Sequence, residues 1–210
     1  MRRHTFLTLL SALTLLNCSS DPATGPGGMG GSGGTGTDLL APPAADEGVQ
    51  YRMVSTIAPG QEIERCQLFV APKEGILVRK DEVRFTAGSH HVLLYRTPYT
   101  QIPTENSKGE KVDGTKVHDC ADGATAQWNV NGVLAGSQSG DGDSFLGELP
   151  DGVAVKVEPG TVMVMNTHYL NASSEPIDAD ARINLYSLPP AKLKTEAGML
   201  FYYNLSLIHI

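Results

Sequence analysis

Short apolar runs separated by turn-forming residues dominate the chain from about residue 49 onward. The runs are rich in valine, isoleucine, leucine, tyrosine and phenylalanine. Pro-Gly or other glycine-containing breaks lie between them, which is typical of strands in antiparallel sheets. The pattern predicts strands over residues 49–58, 65–70, 75–86, 91–97, 153–157, 161–170, 181–188 and 198–204. With about eight strands and no helical periodicity, the expected fold is all-β, an antiparallel β-sandwich of jelly-roll type.

The clearest local pattern covers residues 153–170. In its first part, valines alternate with small or charged residues, so one face of the strand is predicted to be buried and the other to be exposed to solvent. Pro159-Gly160 then supplies turn chemistry, and the returning run is apolar on both faces as far as Met165. We therefore predict a β-hairpin whose second strand is central, lies between two packed layers, and becomes polar near its end at His168.

The segment between residues 97 and 128 is polar and irregular, and it is predicted to be a long surface excursion. Cys120 lies in this segment and Cys66 lies in an earlier strand; they are the only cysteines after Cys18. An even pair in an oxidising compartment is most simply a disulfide, which would hold the excursion on the sheet near the histidine strand. Closing such a loop would stabilise the fold by roughly 4 kcal/mol. The alternative is a free thiolate that serves as a copper ligand.

Residues 1–18 have the pattern of an export signal. Two arginines precede an apolar run that is too short for a bilayer, because a spanning helix needs about 20 residues. The segment ends in Leu15-Leu16-Asn17-Cys18, which resembles a bacterial lipobox, so we expect Cys18 to be lipidated and the protein to be exported and membrane-anchored. The alternative is an ordinary secretory peptide that is removed together with Cys18. Residues 19–47 are rich in glycine, serine, threonine and proline, and a flexible linker is expected there.

Composition and charge narrow the functional classes. The 210 residues carry a net charge of −7 and include 23 glycines and 13 prolines, which suits a single β-rich domain over residues 48–204. The chain is acidic and has no cluster of lysine and arginine residues that could bind the phosphate backbone, so no nucleic-acid partner is expected. The sequence also shows no glycine-rich phosphate loop, nucleophile elbow or paired-carboxylate site.

Adjacent His90 and His91 provide the candidate chemistry, but successive side chains of a regular strand point to opposite faces. The two can share a site only where the strand is irregular, and Gly88 makes a bulge there easier. With His168 they would offer three neutral imidazoles and an open fourth position, a set that suits copper or zinc and favours copper. The alternative is one buried and one solvated histidine without a metal. His118 is a possible fourth ligand, although a loop histidine is more often solvated. Met163 and Met165 could be soft ligands for Cu(I), although methionine at strand spacing is usually a core residue.

Several short motifs, in this order along the chain, resemble those of the copper type II, ascorbate-dependent monooxygenases, the family of peptidylglycine α-hydroxylating and dopamine β-monooxygenases. The ordered set, at spacings like those of the family, is more specific than any one of its members. The motifs are Glu64-Arg65-Cys66, His90-His91-Val92-Leu93-Leu94, His118-Asp119-Cys120 ahead of Trp128, Leu149-Pro150-Asp151-Gly152-Val153, Thr167-His168-Tyr169 and Ala197-Gly198-Met199.

The resemblance implies that residues 48–204 are the N-terminal, jelly-roll copper domain of such an enzyme. His90, His91 and His168 would ligate its electron-transfer copper, one ion per chain, and the two cysteines of the domain would form a disulfide. Ascorbate or another reductant would be the co-substrate, and the complete enzyme would hydroxylate a C–H bond with O₂. No catalytic residue is expected in this half.

The family carries its oxygen-activating copper in a second domain, with a His-x-His motif and a methionine ligand, and this C-terminal partner domain is expected to be missing. Residues 205–210 resemble translated sequencing-adapter sequence and are expected to be a non-native tail. The isolated chain is therefore expected to bind copper without hydroxylating its substrate, a small molecule or a peptide. The alternatives are a non-enzymatic copper-binding or electron-transfer module and a structural β-sandwich lipoprotein. A hydrolytic zinc site is the weakest candidate, because no general-base carboxylate lies near the three histidines in sequence.

Overall fold

The computed structural model describes residues 39–139 and 144–200. These residues form ten strands, a short α-helix, α1 (Ala124–Gln127), and one 3₁₀ turn at Pro190–Lys192. In chain order the strands are β1 (Gly48–Ile57), β2 (Glu62–Val70), β3 (Ile76–Phe85), β4 (Ser89–Arg96), β5 (His118–Asp119), β6 (Gly132–Ser137), β7 (Val153–Val157), β8 (Val162–Leu170), β9 (Ile177–Ser187) and β10 (Thr195–Ala197).

The strands form two five-stranded sheets. The first sheet has the strand order β1-β9-β3-β7-β10, and the second sheet has the order β5-β2-β8-β4-β6. Neighbouring strands are antiparallel, except that β10 runs parallel to β7. The predicted all-β sandwich is confirmed, and its assignment to the jelly-roll type stays a prediction.

The main hydrophobic core lies between the two sheets. It combines first-sheet residues such as Val83 and Ile183 with second-sheet residues such as Leu94 and Met165, all of them fully buried. β8 is the middle strand of the second sheet, and residues 162–167 are buried without exception. The prediction of a central strand covered on both faces is therefore confirmed.

The outer face of the second sheet is covered by the excursion between residues 97 and 128. Cys66 and Cys120 form a disulfide, with their Cα atoms 5.5 Å apart. β5 pairs with β2 beside this disulfide, and Trp128 packs there against the valines on the outer face of β8. The predicted disulfide and its role in holding the excursion are confirmed, and the alternative of a free thiolate is wrong.

The predicted β-hairpin over residues 153–170 is wrong. β7 pairs with β3 and β10 in the first sheet, whereas β8 pairs with β2 and β4 in the second. The turn itself is present, with Gly160 at a φ of 71°. Turn chemistry specifies that the chain reverses but not which strand it pairs with afterwards, and here the reversal carries the chain from one sheet to the other.

Two elements near the sheet edges also differ from the sequence prediction. β6 was not predicted, because its glycines and alanine weaken the apolar pattern, yet all six of its residues are buried beside β4. Glycine is required at position 136, since an added Cβ would lie 2.6 Å from the Val92 carbonyl oxygen. At the other end, residues 198–200 of the predicted last strand are not in a strand, and β10 precedes them.

Several sequence predictions fall on residues that the structure does not describe. The signal segment with Cys18, the linker as far as residue 38 and the predicted tail at 205–210 lie outside the described residues. The end of the predicted linker contacts the first sheet, where the carbonyl oxygens of Leu40 and Ala41 accept hydrogen bonds from residues of β1 and β9. Within residues 39–139 and 144–200, no helix is long and apolar enough to cross a membrane.

Candidate metal centre

A bulge at the start of β4 turns its two histidines toward one site. In the pairing of β4 with β8, Ser89 lies opposite Tyr169 and His91 lies opposite His168, so His90 is an extra residue between them. An extra residue interrupts the alternation of side chains, which is why adjacent residues can share a face. Gly88, with a φ of 94°, directly precedes the bulge. The irregularity that a shared site requires is therefore present.

The bulge brings together the three histidines that the sequence singled out. The ring centroids of His90, His91 and His168 form a nearly equilateral triangle, with separations of 5.5, 5.4 and 5.6 Å. One ring nitrogen of each histidine lies within 4.8 Å of the others. In the part of the chain that the structure describes, this is the one cluster of three histidine, cysteine or acidic residues that could hold a metal ion.

The ring nitrogens of His90 and His91 are spaced as two ligands of one ion would be. The Nδ1 atoms of His90 and His91 are 3.3 Å apart. Two nitrogens that each lie about 2.05 Å from a tetrahedral ion are separated by roughly 3.3 Å. His90 is exposed and His91 and His168 are partly buried, so solvent reaches one side of the cluster while packing holds the other. The donor set is three imidazoles, which suits copper or zinc.

His91 is held by a buried amide. Its Nε2 atom lies 3.1 Å from Oδ1 of Asn166, and Nδ2 of Asn166 donates to Oε2 of Glu64 at 2.8 Å. Burial lowers the pKa of His91 below its ordinary value of 6.5; the rings of His168 and His90 act in the same direction, against the hydrogen bond to Asn166 and the charge of Glu64. His91 is therefore neutral at neutral pH, which is the form that binds a metal.

His168 is fixed by its neighbours on two strands. Its Nε2 atom is 3.0 Å from Oε1 of Glu62 on β2. The hydroxyl of Ser89 lies 3.0 Å from the carbonyl oxygen of His91 and 3.2 Å from that of His168, which ties the bulge to β8. A histidine that ligates a metal commonly donates its other ring N–H to a carboxylate or amide, and Glu62 and Asn166 occupy such positions.

The supporting roles of Asn166, Glu62 and Glu64 were not predicted from the sequence. Asn166 could have been found, because it lies two positions before His168 on the same face of β8. Glu62 and Glu64 share a face of β2 with Cys66, but only the register of β2 against β8 brings them to the histidines. No carboxylate lies near the three histidines in sequence, but Glu62 and Glu64 lie near them in the folded protein.

The other candidate ligands lie elsewhere. Nδ1 of His118 is 3.0 Å from the carbonyl oxygen of Lys116, and its ring contacts the edge of Trp128 with centroids 5.7 Å apart. Met163 and Met165 are fully buried in the core between the sheets. His118 is therefore not part of the three-histidine cluster, and the methionines are core residues.

An acidic cavity opens beside His168. It has a volume of about 370 Å³, and its lining includes carboxylates from β2, from β5 and from the loop after β5. These carboxylates belong to Glu62, Glu64, Asp119 and Asp122. Their charge adds to the net charge of −7 of the whole chain, so this approach to the cluster favours cations.

The cluster can hold one metal ion with three neutral nitrogen ligands from two adjacent strands, with solvent access on the side of His90. A carboxylate and a buried amide hold two of the three rings. A comparison of the sequence with protein-family models finds no matching family, and a comparison with curated proteins finds no similar protein.

Proposed function

We propose that residues 48–204 are the electron-transfer copper domain of an extracytoplasmic, ascorbate-dependent copper monooxygenase that hydroxylates a C–H bond. The observation that carries the proposal is the cluster of His90, His91 and His168, whose adjacent pair shares a site only because of a bulge. The ordered motifs of the sequence, which include these histidines and the cysteines of the disulfide, support the same class.

The donor set favours copper as the resident metal. Imidazole ligands suit copper and zinc, and nitrogen sites bind Cu²⁺ more tightly than Zn²⁺. A hydrolytic zinc site would need a free general base beside the metal. Glu62 and Glu64 are the nearby carboxylates on β2, and they are engaged with the ring of His168 and the amide of Asn166. Such an arrangement supports metal ligands rather than a hydrolytic reaction.

Each part of the domain has a role in this proposal. A bound copper ion would alternate between Cu(I) and Cu(II) and so carry single electrons from ascorbate or another reductant toward the oxygen-activating site. His90, His91 and His168 would hold the ion. The strand pairing of β4 with β8 and the supporting side chains would keep their rings in the same place in both oxidation states.

The remaining components would come from outside residues 48–204. A second domain would supply the oxygen-activating copper and the site for the C–H substrate, a small molecule or a peptide. A lipid on Cys18 would anchor the protein to the bacterial membrane on its extracytoplasmic side.

Copper titration followed by electron paramagnetic resonance tests the proposal. We expect one Cu²⁺ per chain, nitrogen hyperfine structure in the spectrum, and loss of the signal when ascorbate is added. His168→Ala should abolish tight binding, whereas His118→Ala should leave it intact because His118 lies outside the cluster. The absence of stoichiometric copper would contradict the proposal and favour a structural β-sandwich. An unchanged affinity in His168→Ala would contradict the assignment of the three histidines as ligands.

A further inference from the structure

The side chain of Glu64 acts on the candidate metal centre through a buried amide. Glu64 on β2 accepts a hydrogen bond of 2.8 Å from Nδ2 of Asn166, and Oδ1 of the same amide lies 3.1 Å from Nε2 of His91. Glu64 lies directly opposite His168 in the pairing of β2 with β8. A single residue, Asn166, therefore links the carboxylate to the candidate ligand His91. The carboxylate also lies opposite a second candidate ligand, His168, on the neighbouring strand.

The carboxylate determines which way the amide faces. An ionised carboxylate only accepts hydrogen bonds, so the NH₂ group of Asn166 must point toward Glu64. The carbonyl oxygen of Asn166 then points toward His91. Because that oxygen can only accept, Nε2 of His91 must carry the proton.

The position of this proton decides which nitrogen of His91 is available to a metal. A neutral imidazole carries one proton, so a proton on Nε2 leaves the lone pair on Nδ1. Nδ1 of His91 is the atom that lies 3.3 Å from Nδ1 of His90, inside the cluster. With the opposite tautomer, the N–H of His91 would point into the cluster and its lone pair would face Asn166.

The amide is held firmly enough to impose this choice. Asn166 is 2% exposed in the middle strand of the second sheet. Its Nδ2 atom also lies 3.4 Å from the carbonyl oxygen of Arg65 and 3.7 Å from the disulfide sulfur of Cys66. The acceptors that surround Nδ2 all belong to consecutive residues of β2, whose register is fixed by its pairing with β8.

We propose that Glu64 is a positioning residue of the metal centre: by orienting the amide of Asn166, it fixes His91 in the tautomer that presents Nδ1 to a metal. The inference rests on the proposed function for the identity of the metal. The tautomer of His91 is a property of the protein alone and can be measured without any metal. The role differs from a purely electrostatic one, because it requires an acceptor at position 64 and not a negative charge.

Nitrogen-15 NMR of the metal-free protein tests the proposal at a constant pH above 7. In the wild-type protein we expect His91 to be protonated on Nε2 alone. Glu64→Ala removes the acceptor, so His91 should exchange between its two tautomers. Glu64→Gln removes the charge but keeps an acceptor oxygen for Asn166, so it should restore the single tautomer. Asp122→Asn removes a negative charge from the same cavity without touching Asn166 and serves as the matched control.

Three results would overturn the proposal. The first is a proton on Nδ1 of His91 in the wild-type protein, and the second is an unchanged tautomer in Glu64→Ala. The third is a Glu64→Gln variant that behaves like Glu64→Ala, since charge and not orientation would then be responsible. If Glu64→Ala does not fold, a proton on Nδ1 of His91 in the wild-type protein, or exchange between the two tautomers in Glu64→Gln, would still overturn the proposal.

Copper binding gives a second and separable readout. Loss of an outer partner of a metal ligand commonly weakens metal affinity by about 10- to 100-fold, and we expect a change of that size in Glu64→Ala and a smaller one in Glu64→Gln. An unchanged affinity in Glu64→Ala would count against a role of Glu64 in the metal centre. If the wild-type protein bound no copper at all, the proposed function would fail, while the NMR result would still decide the positioning role.

Discussion

At the scale of single residues, the protonation of His91 is coupled to folding through burial of its ring. In the unfolded chain its imidazole takes up a proton near pH 6.5, whereas burial in the folded protein lowers its pKa. As the pH falls through 6.5, the unfolded state binds a proton that the folded state does not yet bind. The free energy of unfolding therefore decreases as the pH is lowered from 7.5 toward 5, with the sign set by burial.

Substitution of His91 should weaken this pH dependence. In the metal-free protein, His91→Gln removes the titrating group, so the free energy of unfolding should fall less steeply between pH 7.5 and pH 5 than it does in the wild type. Urea denaturation at a series of pH values measures the slope. An equal slope in His91→Gln and the wild type would show that His91 does not titrate in this way.

At the scale of elements, β4 is the strand on which the site depends most. It pairs with β8 on one side, where the bulge lies, and with β6 on the other, where the register shifts again between Leu94 and Tyr95. β6 approaches β4 so closely that only glycine fits at position 136. The position of the histidines is thus set partly by a strand that contributes no ligand to the cluster.

A single methyl group at position 136 should disturb this arrangement. Gly136→Ala places a Cβ 2.6 Å from the carbonyl oxygen of Val92 and 2.8 Å from Cδ2 of Leu93, so β6 must move away from β4. We expect the free energy of unfolding to fall by about 1–3 kcal/mol, as in other overpacked cores. Gly198→Ala is the control, because an added Cβ there meets nothing within 4 Å and should change stability by less than about 0.5 kcal/mol. Equal stability of the two variants in urea denaturation would contradict the close approach.

At the scale of the whole molecule, charge influences which small ions approach the three-histidine cluster. The chain carries a net charge of −7, and carboxylates line the cavity beside His168. An anion such as ascorbate is repelled by this surface, and a cation is attracted to it. Salt screens both effects, because the Debye length falls from about 30 Å at 0.01 M to about 3 Å at 1 M ionic strength.

Reduction of the copper-loaded protein should therefore depend on salt in opposite ways for reductants of opposite charge. The second-order rate constant with ascorbate should rise several-fold between about 10 mM and about 0.5 M salt, and that with ruthenium(II) hexaammine should fall. Stopped-flow absorbance measures both rates. Asp122→Asn should raise the ascorbate rate at low salt by removing one charge of the cavity. A rate constant with ascorbate that falls with added salt would rule out repulsion at the site.

The disulfide should contribute to the stability of the whole domain. Cys66 and Cys120 are 54 residues apart in sequence and are fully buried. Replacing both by serine should lower the free energy of unfolding by about 4 kcal/mol, because the unfolded chain gains the entropy of an open loop. Calorimetry of the double variant measures the loss. A change below about 1 kcal/mol would mean that the excursion is held by its packing against Trp128 and the valines of β8 and not by the cross-link.

Patterns that are local in sequence account for what could be predicted. Most strands were predicted from the alternation of apolar residues, and the disulfide was predicted from the single pair of cysteines. Both predictions need only the type and the order of the residues. The three histidines could be selected for the same reason. Local patterns do not encode the partner of a strand, which is why β7 and β8 were wrongly joined in a hairpin. The contact between Glu64 and Asn166 was missed for that reason, since the two residues meet only across the pairing of β2 with β8.

The strand order of the second sheet also determines when the metal centre first exists. β2 and β4 emerge early during synthesis but do not pair with each other; β8, the last strand of that sheet to be made, lies between them. Until it inserts, His90 and His91 have no third ligand, and long-range pairing of this kind is slow compared with local folding. An unfinished chain thus presents only two of the three histidines of the cluster. The complete set of three histidines therefore exists only once β8 has paired with β4 in the second sheet.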